Sequence, residues 1–395
     1  MDKITVGIIG SGAMGAGIAQ VVAQAGHPVF LFDLNAAALQ RATTGISASL
    51  RKLAEKGKLP AAEAEAAIAR VRPCAELQCF AACGLVIEAI VEELAVKQAV
   101  FRDVEAVVPA ECVLASNTSS LSLASIASAC QRPERFIGIH FFNPAPLMQL
   151  VEVIPAVQTR AGLAEETRAL VQSWGKLPVI CQDTPGFIVN RVARPYYGEA
   201  LRLLDEGVAD AATIDWALTE LGGFRMGPFA LMDFIGHDVN YRVTEAVFTA
   251  FYFDPRFKPS LTQKRLFEAG YYGRKAGRGF YDYREGATPP EPTRDPALGH
   301  RILQRVLAML INEAADALHL RVASRDDLEL AMTRGVNYPK GLLAWADELG
   351  LPAVLNTLDA LYEEYREDRY RASPLLRRLA TAGQTFFPAP ALSHS

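Results

Sequence analysis

No apolar run in this 395-residue chain approaches the roughly 20 residues that a membrane-spanning helix requires. Charge of one sign is also missing. Acidic and basic residues nearly balance, leaving a net charge of −4, so there is no electrostatic reason to expect nucleic acid or an anionic membrane as partner. Cysteine is sparse. Cys74, Cys79, Cys83, Cys112, Cys130 and Cys181 include no Cys-x-x-Cys pair and lie apart from the six histidines. That excludes a zinc-ligand pattern and a disulfide framework, so no metal is expected, and buried reduced thiols in a cytoplasmic protein are. Half of the residues are apolar, enough at this length for two or three domains with their own cores.

The N-terminus carries the first positive signal. The apolar run Ile4–Ile9 leads into Gly10-Ser-Gly12-Ala13-Met14-Gly15, then a helix-compatible stretch from Ala16 to Ala25, then Val29–Phe32 and Asp33. Strand, glycine turn, helix, strand and acid form the dinucleotide-binding arrangement. Gly10 would make the tight turn, Gly12 would let the backbone approach a pyrophosphate, and Gly15 would let the helix pack on the strand. The helix N-terminus, from Ala13 and Met14 onward, offers unpaired amides to the phosphates. Asp33 stands where a carboxylate accepts from the ribose hydroxyls and repels a 2′-phosphate, which favours NAD over NADP. Lys3, the small-residue run and Ala23-Gln-Ala25 imitate a signal peptide, but cleavage there would remove the phosphate loop, and this reading is rejected.

Further strand-like runs at Leu85–Glu88, Cys112–Ser116 and Leu177–Cys181, with a helical stretch Glu92–Val108, predict a parallel sheet flanked by helices. Two more runs, Phe136–Phe141 and Gln149–Ile154, flank Pro144-Ala-Pro146. A hairpin folded about position 146 sets His140 opposite Glu152. A carboxylate facing an imidazole prepares a general base, although the same pair would serve as a salt-bridged structural histidine. Asn117-Thr-Ser119-Ser120 follows a strand end, where hydroxyls meet ligands in parallel sheets; a helix N-cap by Ser119, Ser120 or Ser122 is the alternative. Glu92 and Lys97 read equally as an ordinary charged helix face, and Asn190 as a solvated helical residue.

After Thr184-Pro-Gly186 the pattern becomes helical, over Phe187–Glu206, Asp210–Leu221 and Pro228–Phe251. The expected organisation is an α/β Rossmann-type dinucleotide-binding domain over 1–183 followed by two copies of an all-α helical domain. The copies span 184–283 and 297–383, with a Pro-rich linker over 284–296 and a tail over 384–395. The duplication rests on an ungapped offset of 114 positions that aligns Arg191 with Arg305, Glu199 with Glu313, Gly227 with Gly341, Asp233 with Asp347 and Gly236 with Gly350. Gln304 stands where the first copy has Asn190, so the second copy reads as degenerate and structural.

Together, Gly10-x-Gly12-x-x-Gly15, Val86-Ile-Glu88-Ala-Ile-Val-Glu92, Ser116-Asn-Thr-Ser-Ser120, Ile139-His140-Phe-Phe-Asn143-Pro, Asp183-Thr-Pro-Gly-Phe-Ile-Val-Asn190-Arg and Gly273-Arg-Lys-Ala-Gly-Arg-Gly279 resemble the NAD-dependent L-3-hydroxyacyl-CoA dehydrogenases. The likeness covers residues 3 to about 283 densely, and the second helical copy most of the remainder. It implies oxidation of (S)-3-hydroxyacyl-CoA to 3-ketoacyl-CoA, with His140 as base, Glu152 orienting it, and Ser119 and Asn190 holding the 3-oxygen. It further implies that Glu92, Lys97, Ser119 and Asn143 lie near the nicotinamide and its ribose, and that Ser49, Lys56 and Asn117 meet the CoA substrate. Relatives fused to an enoyl-CoA hydratase carry a long N-terminal extension, whereas this chain starts three residues before its first strand and is expected to catalyse one step. Tyr370-Arg-Ala-Ser-Pro-Leu-Leu-Arg-Arg and the duplicated domain resemble the bacterial 3-hydroxybutyryl-CoA and 3-hydroxyadipyl-CoA dehydrogenases, leaving short aliphatic and dicarboxylic chains both open. In single-copy relatives the helical domain forms a dimer interface, and a homodimer is an open expectation here. A sugar-acid dehydrogenase resembling gulonate 3-dehydrogenase, and a non-catalytic NAD-binding structural protein like the lens crystallins of this family, are the alternatives.

Overall fold

The computed structural model describes residues 3–388 and separates into two compact units, with the division after Phe187. In the first unit eight strands form one sheet: β1 (Val6–Ile9), β2 (Val29–Phe32), β3 (Val71–Cys74), β4 (Leu85–Glu88), β5 (Val113–Ser116), β6 (Phe136–Phe141), β7 (Leu150–Pro155) and β8 (Leu177–Ile180). Their order is β3-β2-β1-β4-β5-β6-β7-β8. Every neighbouring pair is parallel except β6 and β7. The chain winds outward in both directions from β1, which lies between β2 and β4. A crevice therefore opens at the carboxyl ends of the strands there, where the topology reverses.

Val6, Ile8, Leu31, Leu85 and Ile87 are fully buried with Ile18 and Val22 of helix α1 (Ala13–Gln24), so the sheet's centre is dry. Continuous apolar strands suit a sheet covered on both faces, which is why these runs were legible. β3 was not. Its sequence, Val71-Arg-Pro-Cys74, has two exposed residues, and Pro73 is tolerated because this is an edge strand. A helical pair, α2 (Ala36–Glu55) and α3 (Ala61–Arg70), connects β2 to β3. The remaining helices of this unit are α4 (Leu94–Glu105), α5 (Leu123–Ala127) and α6 (Leu163–Ser173).

The cysteine expectation needs correction. Cys74 and Cys79 form a disulfide, because the turn after β3 folds back to bring their Cα atoms within 6.4 Å. Cys83, Cys112, Cys130 and Cys181 take no part in a disulfide and are buried, as expected. Burial pushes the Cys83, Cys112 and Cys130 thiols up to about 12, which leaves them protonated and inert.

The second unit is helical. Three long helical stretches expected from the sequence are interrupted. Phe187 takes φ 49° just before the helical turn Val189–Val192, and Gly236, at φ 98°, separates helix Pro228–Ile235 from His237–Ala250. A π turn, Ala217–Leu221, follows helix Ala211–Trp216. The buried 24-residue helix Pro296–His319 packs along helix Arg194–Asp205.

Hydrogen bonds recur at the 114-residue offset. Asp215 accepts from the amides of Phe229 and Ala230, and Glu329 from those of Leu343 and Ala344. Asp210 caps its helix through Thr213, and Ser324 through Asp327. Ion pairs cross reciprocally: Arg191 Nε meets Glu313 at 2.6 Å, and Arg305 Nε meets Glu199 at 2.8 Å. Residues 384–388 are less of a tail than expected, since Phe386 and Phe387 donate their amides to Asp347. Residues 389–395 of the expected tail lie outside those described. Among the described residues no helix is long and apolar enough to cross a membrane.

Candidate active site

At the carboxyl end of β1 the chain turns sharply. Gly10 sits at φ 98°, and a Cβ there would stand 2.4 Å from the Ala89 carbonyl oxygen. A Cβ on Gly15 would lie 1.8 Å from the Gly10 carbonyl oxygen, so α1 approaches β1 only with glycine at that point. Gly12 differs: a Cβ there would meet nothing within 4 Å. Its missing side chain keeps a space open in front of the helix N-terminus. This loop forms one wall of a cleft of about 670 Å³, with Ala13, Met14, Asp33 and Leu34 on one side and Ile90, Val91 and Val96 on the other. The cleft and glycine cradle fit a dinucleotide.

Asp33 Oδ2 accepts from both the amide and the hydroxyl of Ser11 at 2.7 Å, and Oδ1 from the amide of Asn35. Burial pushes its carboxyl up, but the Asn35 and Ser11 hydrogen bonds outweigh this and hold it below its ordinary value. The group is therefore an anion at neutral pH, aimed at the cleft that it lines.

The hairpin register is the one expected. His140 pairs with Glu152 across β6 and β7, and Nδ1 lies 2.7 Å from Glu152 Oε2. Both residues are buried, Glu152 completely. The carboxylate fixes the Nδ1 proton and leaves Nε2 as the imidazole's free basic nitrogen. The rings of Phe142 and Phe187 pack at 4.6 and 5.8 Å from the imidazole and restrict water around it.

Between glycine loop and hairpin lies a polar network that was mostly not legible. Fully buried Glu88, at the end of β4, accepts from Lys97 Nζ at 2.6 Å, from the Ser116 hydroxyl at 2.7 Å and from the Ile90 amide at 2.7 Å. Lys97 also reaches Glu92 at 3.2 Å. Glu92 Oε1 in turn accepts from the Thr118 and Ser120 hydroxyls and from the amides of Ser119 and Ser120. Burial raises the Glu92 carboxyl, but Lys97, Thr118 and Ser119 more than compensate and hold it low. Glu92 thereby fixes the backbone that carries Ser119. Asn117 Oδ1 accepts from the Phe141 amide at 2.8 Å, tying this loop to the strand of His140. The α5 cap is Ser122, through Ser125, so Ser119 is not needed as a cap.

Residues 5–184 match the family model described as 3-hydroxyacyl-CoA dehydrogenase, NAD binding domain. Residues 186–283 and 302–386 match that described as 3-hydroxyacyl-CoA dehydrogenase, C-terminal domain. The chain belongs to the 3-hydroxyacyl-CoA dehydrogenase family. It is 41% identical over 461 aligned residues to the 3-hydroxyadipyl-CoA dehydrogenase of Escherichia coli (strain K12), which covers 95% of this chain and 97% of that protein. It is 44% identical over 278 residues to a probable 3-hydroxybutyryl-CoA dehydrogenase of Deinococcus radiodurans, covering 70% of this chain and 99% of that one. Among solved structures, a 3-hydroxybutyryl-CoA dehydrogenase from Escherichia coli K12 superposes with a TM-score of 0.90 at 40% identity, over 97% of this chain and 99% of that one.

Other residues expected at a 3-hydroxyacyl-CoA dehydrogenase site are more dispersed. Ser49 is part-buried on α2, and exposed Lys56 closes that helix. Asn143 is exposed in the turn of the hairpin. Asn190 is part-buried in the first helical turn of the second unit. Glu88, Thr118, Ser116 and Ser11 had no assigned role from sequence. The one available signal was the placement of Glu88 and Ser116 at the ends of adjacent parallel strands.

Proposed function

We propose that this chain oxidises (S)-3-hydroxyacyl-CoA thioesters to 3-ketoacyl-CoA thioesters, with NAD accepting the hydride. The observation that carries this reading is the buried His140–Glu152 pair in the same sheet as the glycine-lined cleft. His140 Nε2 takes the proton of the 3-hydroxyl, and Glu152, 2.7 Å from Nδ1, stabilises the imidazolium that results. Ser119 and Asn190 bind the 3-oxygen and polarise it as a ketone in the reverse direction. Gly10, Gly12, Ala13, Met14 and Gly15 receive the pyrophosphate, and Asp33 the adenosine ribose, excluding the 2′-phosphate of NADP. Glu92 and Lys97 hold the loop beside the nicotinamide ribose, with Asn143 nearby, while Ser49, Lys56 and Asn117 serve the CoA moiety. The second helical copy covers the first and contributes no chemistry.

Oxidation of NADH in the presence of acetoacetyl-CoA tests the reading, with free acetoacetate and 3-keto sugar acids as controls. The expected result is turnover of the thioester alone and a kcat/KM for NADH at least about 10-fold above that for NADPH. Turnover of the free acids with no use of the thioester would overturn it.

A further inference from the structure

Among the described residues of the second unit, the buried arginines Arg191, Arg305 and Arg369 and the largely buried Arg256 are matched by carboxylates, Arg369 by Glu367, whereas Arg194 is not. Arg191 meets Glu313 and Asp316, Arg305 meets Glu199 and Glu206, and Arg256 meets Asp254, Glu313 and Asp316. Arg194 has none. Its residue is 7% exposed, and no carboxylate lies within ion-pair distance among the described residues. Nη1 donates to the Thr244 hydroxyl at 3.2 Å, the guanidinium lies 4.8 Å from the centre of the Tyr197 ring, and Nε is buried without a partner. The Tyr338 hydroxyl is also buried and unpartnered. The rings of Tyr197, which the guanidinium faces, and of Tyr338 each lie 5.8 Å from the Tyr196 ring, and burial raises the Tyr338 hydroxyl well above its ordinary value while the nearby Arg194 opposes that rise.

An arginine does not shed its proton to escape burial, and an unpaired charge out of water is costly. A tyrosine stack and one hydroxyl offset only part of that cost. The two unfilled donors, a guanidinium Nε–H and a phenol, suit a carboxylate. Position matters as well. Arg194 follows Asn190 by four residues: the turn Val189–Val192 ends at Ala193, whose backbone stays in the right-handed helical region, and the helix Arg194–Asp205 begins there, so the two lie about one helical turn apart. A six-carbon acyl chain places its terminal carboxyl three carbon–carbon bonds beyond C3, a span that the flexible arginine side chain readily meets.

We propose that Arg194, with Tyr338, reads the terminal carboxylate of a dicarboxylic 3-hydroxyacyl-CoA. This rests on the reading above in which Asn190 holds the 3-oxygen. The acyl chain then lies along the Asn190–Arg194 turn, and the thioester and terminal carboxylate point in opposite directions from C3. A neutral chain of equal length leaves the guanidinium uncompensated, so specificity arises from an unpaired charge as much as from a new contact.

Three 3-ketoacyl-CoAs assayed by NADH oxidation test the proposal: acetoacetyl-CoA, 3-ketohexanoyl-CoA and its six-carbon counterpart ending in a carboxylate. Turnover of acetoacetyl-CoA establishes the dehydrogenase reading independently of chain preference. The wild type is expected to prefer the carboxylate-ended substrate over the neutral one by at least about 10-fold in kcat/KM. Arg194→Met should bring that ratio close to one, chiefly through KM, and Arg194→Lys should restore part of it. Calorimetric binding of adipyl-CoA and hexanoyl-CoA to the same proteins gives the same comparison without turnover. A wild type that uses both six-carbon substrates equally, or a ratio that survives Arg194→Met, overturns the proposal.

Discussion

Replacing His140 with Gln removes the proposed base while keeping a polar group of similar reach against Glu152. We expect kcat to fall by at least about 10²-fold while NADH still binds, because the dinucleotide cleft is built from other residues. A variant that keeps most of its kcat would reduce the pair to a buried structural contact. Glu92 makes a second residue-scale case. Its carboxyl is held below its ordinary value, so its contribution to stability is present above the usual glutamate range and is lost as pH falls through the lowered value. Thermal melts of the wild type and Glu92→Gln should therefore differ most near neutrality and converge in acid. A gap that widened on acidification would contradict the network around Ser119. His140, Glu152 and Asp33 were legible as residues because motif and spacing isolate them. Glu88 was not, since a lone carboxylate closing an apolar strand has no pattern until Lys97 and Ser116 converge on it in space.

Among elements, the glycine turn separates packing from binding. Gly15→Ala puts a methyl group against the Gly10 carbonyl, so it should lower the melting temperature sharply or prevent folding. Gly12→Ala adds a methyl group to open space. It should leave the melting temperature of the free protein nearly unchanged and weaken NADH binding by about 10-fold or more. Thermal shifts with and without NADH distinguish the two, and equal behaviour would mean that the loop does not face the pyrophosphate. The central strands follow directly from apolar runs. The edge strand Val71–Cys74 does not, because half of it is solvent-facing and its proline is tolerated only where the ladder ends. The helix breaks at Phe187 and Gly236 were similarly hidden inside periodic sequence, since apolar spacing reports a buried face but not a reversal of φ.

For the whole molecule, the reciprocal ion pairs give the duplication a physical form. Arg191 of the first copy pairs with Glu313, the counterpart of Glu199, and Glu199 pairs with Arg305, the counterpart of Arg191. Phe224 likewise touches Tyr338, its counterpart at the same offset, with ring centres 5.0 Å apart. This is the contact pattern of a two-fold interface written into one chain. Truncation near Arg284 would strip the partner from Arg191, Glu199 and Phe224 at once. Light scattering should then register aggregation or a new dimer, in which Arg191 of one chain meets Glu199 of the other. A truncated protein that stays monomeric, soluble and fully active would refute the idea that the second copy substitutes for a subunit.

The sequence by itself determined the dinucleotide domain, the opposition of His140 and Glu152, and the register of the repeat. Each of these depends on local spacing: glycines in a turn, two runs about a short reversal, a constant offset. Only the tertiary structure decided which buried charges are satisfied. The convergence of Lys97 and Ser116 on Glu88 and the crossed arginine pairs join groups that no spacing in the sequence pairs, and the uncompensated Arg194 exposes the lack of such a partner. Whether a buried charge is neutralised depends on distances of a few ångströms between elements, and those are set when the sheet and the helices pack.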